Sequence, residues 1–176
     1  CKIDKPNYKS LYLFVNRIIN EKKIQGVEVH NYLIKNLNNP SSSAPLNIEF
    51  VKIKWLQTIL LTELVLMEEA EREFSVLNNY IGYYNKNAKN FREANFYKNT
   101  YLIVLETINR NLEEGKKICV INQTIANELN DTTLMIIANN YFSDFLLMGG
   151  ELEEYITLCE TNLELERELK YQTDFY

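Results

Sequence analysis

Three short stretches of the chain share one frame: Met67-Glu68-Glu69-Ala70, Leu112-Glu113-Glu114-Gly115 and Leu152-Glu153-Glu154-Tyr155. Each opens a run whose apolar residues return every three or four positions, as one face of an α-helix requires. After Ala70 the stripe passes through Phe74, Leu77, Ile81 and Tyr84. After Gly115 it takes in Ile118, Cys119, Ile121, Ile125 and Leu129, with Ala126 as a further small residue, and after Tyr155 it reaches Cys159. Ala70, Gly115 and Tyr155 stand 45 and then 40 residues apart. A recurrence of that length predicts stacked helical units, because one amphipathic hairpin cannot bury its apolar face unaided. The Glu pairs fall in the first turn of each predicted helix, where the positive end of the helix dipole favours carboxylates.

Each of these helices has a leading partner. The leading helices run roughly over Tyr8 to Asn20, Asn47 to Leu66, Ala94 to Arg110 and Thr132 to Met148. Their stripes include Leu11, Phe14, Val15 and Ile18; Leu56, Ile59, Leu60 and Leu64; Leu102, Leu105 and Ile108; and Ile137, Tyr141, Phe145 and Leu146. A fainter trailing helix opens at Ile24-Gln25-Gly26-Val27 and carries Val29, Leu33, Ile34 and Leu37. The expected hairpins span about 8–39, 47–87, 94–131 and 132–170 of a single domain, 1–176. Turn chemistry separates them. The segment from Asn38 to Pro45 holds two prolines and three serines, which favour turn or extended backbone. Gly149-Gly150 supplies a tight turn, and Asp131-Thr132-Thr133 offers side-chain oxygens for a helix cap. Asn85 to Asn90 marks another break, with Asn90 also placed to cap a helix starting near Phe91.

Composition agrees with helices. Five Gly and three Pro are few for a sheet-based fold, whose turns consume both. Hydrophobic residues make up 46% and charged residues 24%, enough for a core, and the many Tyr and Phe suit the gaps between helices. A net charge of -5 and a pI near 5.1, with Lys and Arg scattered, argue against a nucleic-acid surface. No apolar stretch is long enough to span a membrane. Cys1, Cys119 and Cys159 have no paired spacing and His30 is the single histidine, so neither a disulfide framework nor a metal site is signalled. Cys119 and Cys159 read as small buried hydrophobes. A lipoprotein cut before a lipid-bearing cysteine would also begin as this chain does at Cys1. That leaves the compartment open between the cytoplasm and, for a lipoprotein, the periplasm or the outside of the cell.

The pattern resembles the tetratricopeptide repeat, whose second helix carries Ala followed four residues later by Phe or Tyr. Ala70 with Phe74 matches that pair, Gly115 with Cys119 keeps the spacing with smaller residues, and Tyr155 with Cys159 inverts the sizes. The spacing exceeds the family's usual period of about 34 residues, and the Trp, Gly and Tyr of its first helix are out of register. Longer repeats of this kind resemble those of bacterial signalling and regulatory proteins. The resemblance implies an all-α superhelix of about four antiparallel hairpins, a tetratricopeptide-like solenoid. No polar capping helix follows the fourth hairpin, so the chain is expected to continue beyond Tyr176, the alternatives being that the last turn frays or that a second copy covers it.

No nucleophile with a base and no phosphate-binding loop is visible, and Gly149-Gly150 lacks a following Lys-Ser or Lys-Thr. No cofactor or metal is expected. Binding by shape remains, on a concave face lined by the leading helices. The expected partner-binding residues are Trp55, Tyr97, Thr100, Asn139, Asn140 and Ser143: an aromatic anchor, and amides that can pair with a peptide backbone. The expected function is non-catalytic recognition of a protein or peptide, or sensing, within a bacterial signalling or transcription-regulatory protein. A scaffold for oligomer assembly and an enzyme of unrecognised type are the alternatives.

Overall fold

The computed structural model describes residues 45–88 and 90–173, together with 28, 31–33 and 37. The expected first hairpin, 8–39, lies outside the described residues apart from those few, as do Cys1 and His30. The described residues form helices and no strand. These are α1 (Ile48–Glu63), α2 (Met67–Gly82), α3 (Phe91–Asn109), α4 (Leu112–Leu129), α5 (Thr132–Gly149) and α6 (Leu152–Thr173). None of them is long and apolar enough to cross a membrane.

Caps and turns place these helices where the sequence signals stood. The Phe50 N–H donates to Asn47 Oδ1 and the Leu134 N–H to Asp131 Oδ1, each at 3.0 Å, so both leading helices begin on a side-chain cap. Glu68 and Glu69, Glu113 and Glu114, and Glu153 and Glu154 all occupy the first turns of their helices. The three hairpin turns share one backbone solution. Val65, Arg110 and Gly150 each adopt the left-handed conformation, with φ of 60°, 55° and 77°. Next in sequence, the N–H groups of Leu66, Asn111 and Glu151 donate to the carbonyls of Leu61, Glu106 and Leu146, each at 2.9 Å. This satisfies the last carbonyls of the leading helix in the Schellman manner and reverses the chain within three residues. The turn lies five residues before Ala70, Gly115 and Tyr155, so the backbone repeats in the register of the side-chain pattern.

The chain divides into two compact units between Tyr101 and Leu102, within α3. In the first unit, α1 buries Phe50, Val51, Ile53, Leu56, Leu60 and Leu61. With so broad an apolar surface the helix lies in the interior, as a helix apolar on most sides must. Phe50 meets Tyr80 edge-on, with ring centroids 4.8 Å apart, and the Tyr80 hydroxyl accepts from the Asn47 N–H, tying the end of α2 to the start of α1. Phe74 lies 4.5 Å from Tyr101. Lys54 is nearly buried but donates to Glu73 at 2.5 Å and to Gln57 at 3.2 Å, which offsets the cost of taking an ammonium out of water.

In the second unit, Ile103, Cys119 and Phe145 form a fully buried cluster, with Leu112, Ile118, Tyr141 and Phe142 packed around it. The Phe145 ring occupies the space above Gly115, where a Cβ would lie 2.9 Å from Cε2 and closer still to the rest of the ring edge. The small residue of the sequence pattern is thus the seat of an aromatic side chain from the next helix. Burying such a ring contributes about 1.5–3 kcal/mol. Ile121 and Leu129, counted on the α4 stripe by periodicity, are instead exposed, because the buried face narrows to Gly115, Cys119, Asn122 and Ala126.

Candidate binding surface

The six expected partner-binding residues divide between the two units. In the first, Trp55 of α1 lies against Tyr97 of α3, ring centroids 5.0 Å apart and tilted by 50°. Lys52 adds a cation 5.7 Å from the Tyr97 ring and pairs with Glu93 at 3.0 Å. Tyr97 is almost wholly buried, and Thr100 is buried with its hydroxyl donating to the Tyr97 carbonyl at 2.7 Å. Trp55 is half-buried, and its indole N–H is buried without a hydrogen-bond partner.

In the second unit the amides form a ladder across three helices. Gln123 of α4 donates to Asn139 Oδ1, Asn139 donates to Asn162 Oδ1 of α6, and Asn162 donates to Asn140 Oδ1, each at 2.8 Å. Asn139 is 3% exposed, so its carboxamide faces its helical neighbours and not solvent. Asn140 is exposed but accepts from Asn162, and the half-buried Ser143 hydroxyl donates to the Asn140 carbonyl at 2.7 Å. The amides selected for peptide pairing are thus engaged in joining α4, α5 and α6. Sequence reasoning missed Gln123 and Asn162 in this network. The available signal was Asn162 itself, a polar residue four positions after Leu158 on the inward face of its helix.

A cleft of about 540 Å³ lies between α5 and α6, within the range of ligand sites. Phe142, Leu146 and Leu158 give it an apolar lining, with Thr157 and Thr161 beside them. The Thr157 and Thr161 hydroxyls donate to the Glu153 and Thr157 carbonyls, both at 2.9 Å, so their donors are committed to their own helix. Glu151, Glu153 and Glu154 line the end nearest the hairpin turn. Glu151 pairs with Lys116 of α4, whereas Glu153 and Glu154 are exposed and have no basic partner among the described residues. The cleft is therefore apolar along its length and anionic at one end.

Burial pushes the Cys119 thiol up to about 12, and the Asp144 carboxylate adds to the effect, so the sulfur stays protonated and inert near neutral pH. No group of His, Cys, Asp or Glu among the described residues is placed to hold a metal ion. Comparison with known proteins yields no relative: no family model, no curated protein and no solved structure matches the chain.

Proposed function

We propose that this chain is a non-catalytic recognition module of tetratricopeptide-like hairpins, which takes a segment of a partner protein into the cleft between α5 and α6. The cleft carries the reading, because it offers an apolar wall for side chains and, at one end, the Glu153 and Glu154 carboxylates, which have no basic partner among the described residues, for a Lys or Arg. The shared turns at Val65, Arg110 and Gly150 support a repeated hairpin unit, since the same reversal recurs in the same register of the side-chain pattern. Such a module suits the sensing arm of a bacterial signalling or transcription-regulatory protein.

The test is a titration of the isotope-labelled chain with a library of short peptides, followed by amide chemical shifts. Saturable shifts at Thr157, Leu158 and Thr161 are expected from peptides joining a basic residue to apolar ones, and Thr161→Lys should remove them. Shifts gathered around Trp55 would move the site to the first unit. Flat titrations across the library would end the recognition reading.

A further inference from the structure

Helix α6 bears a second apolar surface that the cleft does not use. Leu152, Ile156 and Leu163 are 56%, 54% and 53% exposed. With the half-buried Cys159 they follow the spacing i, i+4, i+7, i+11, which lays them along one stripe. The same stripe lies 40 residues earlier on α4, as Leu112, Lys116, Cys119 and Gln123. There every member is engaged by α5 or by the turn that ends it. Cys119 clusters with Phe145 of α5, Leu112 packs against that cluster, Gln123 donates to Asn139 of α5, and Lys116 pairs with Glu151 just beyond α5. On α4, then, this stripe is the seat of the next helix. On α6 its Lys and Gln positions have become Ile156 and Leu163, so the surface is more apolar where it faces solvent. A merely solvated face would show the opposite change, and a contiguous exposed apolar patch marks a contact surface.

We infer that the α6 stripe seats an amphipathic helix of a partner protein, one whose apolar residues are flanked by Lys or Arg. The partner's charge follows from the flanks. Between Leu152 and Leu163 the charged residues are Glu153, Glu154 and Glu160, all exposed, with no Lys or Arg among them. Glu153 and Glu160 stand seven residues apart beside the stripe, the spacing of flanking charges in paired helices. An antiparallel second copy of this chain fits poorly. Antiparallel pairing that sets Leu152 opposite Leu163 also sets Glu153 of one copy beside Glu160 of the other, like charge against like. The apolar stripe takes no residue from the apolar lining of the cleft, although Glu153 and Glu154 border both, and the two are tested separately.

The probe is a fluorescent synthetic helix with Leu at heptad positions a and d and Lys at e and g, titrated onto the full chain and read by polarisation. Saturable binding is expected, weakened about tenfold or more by Ile156→Glu or Leu163→Glu, a loss of about 1.4 kcal/mol per factor of ten. Ile156→Ser and Leu163→Ser should weaken it in the same direction and serve if the Glu variants disturb the helix. Glu160→Lys should shift preference toward a probe flanked by Glu, while Val120→Glu, an equally exposed apolar site on α4, should change nothing. Three results would overturn the inference: equal binding of the Glu-flanked probe to the unaltered chain; binding lost in Thr161→Lys and kept in the stripe variants, which assigns the probe to the cleft; or a dimer in sedimentation that Ile156→Glu dissolves, which assigns the stripe to a second copy.

Discussion

Replacing Gly115 by alanine sets two effects of known size against each other. In an exposed helix the change stabilises by about 0.5–1 kcal/mol, because Ala loses less backbone entropy on folding than Gly. At Gly115 the new methyl would enter the space held by the Phe145 ring, and Ile103 and Cys119, both fully buried, leave that ring nowhere to go without repacking. Overpacking of this kind costs about 1–3 kcal/mol, and outright loss of the ring's burial about 3–5 kcal/mol. The clash should win, leaving Gly115→Ala destabilised by about 1–3 kcal/mol. Gly82→Ala is the control, since no atom lies within 4 Å of its would-be Cβ, and it should be neutral or stabilising. Urea unfolding followed by far-ultraviolet circular dichroism gives the totals, and hydrogen exchange of α4 and α5 amides localises the loss to the second unit. In a double-mutant cycle, Phe145→Leu should cost less in the Gly115→Ala background than in the parent, with a coupling of about 1 kcal/mol or more. If Gly115→Ala stabilises the chain as Gly82→Ala does, the seating of Phe145 on α4 is wrong, and the equivalence between the α4 and α6 stripes falls with it.

The remaining expectations concern the ladder, a turn and a thiol. Asn162→Ala strands the Asn139 donor and should cost about 1–3 kcal/mol, while the double variant with Asn139→Ala should cost less than the two singles together; simple additivity in denaturant midpoints would show that the amides do not act as one network. Val65, 80% exposed, holds a left-handed backbone that a β-branched residue tolerates badly, so Val65→Asn should stabilise by about 1 kcal/mol, and a lowered urea midpoint would count against the turn. The Cys119 thiol titrates near 12 in the folded chain against about 8.5 when unfolded, so between those values the unfolded state binds fewer protons and stability falls as pH rises. Cys119→Ala should flatten that alkaline slope, and an unchanged slope refutes the assignment.

Much of the architecture was legible because it rests on local chemistry. Asp131 capped where a cap was needed, the Glu pairs fell in first turns, and Gly115 marked a close approach. What stayed hidden depended on partners distant in sequence. Val65 and Arg110 take the left-handed turn that only Gly150 advertised, because reversal is imposed by packing of the flanking helices and not by the residue's own preference. Asn139 read as an amide available to a peptide backbone because its partners, Gln123 and Asn162, come from the preceding and following helices. The cleft was invisible for the same reason. It lies between α5 and α6, where Phe142 and Leu146 meet Leu158 from the following helix.

The repeat also differs from itself at the position that would meet a docked helix. On α4 the next helix presses a large ring into a position without a side chain, Phe145 over Gly115. The equivalent position on α6 is Tyr155, already half-buried, and a ring cannot be received there in the same way. A helix docking on α6 must therefore ride on Ile156 and Leu163, placing small residues opposite Tyr155 and larger ones opposite Cys159. A partner helix with alanine or serine at the first contact and leucine one turn later should outcompete one with phenylalanine at the first contact. Competition with those two sequences against the Leu and Lys probe measures it. Stronger competition by the phenylalanine helix would show that α6 receives its partner as α4 does, and that Tyr155 moves aside.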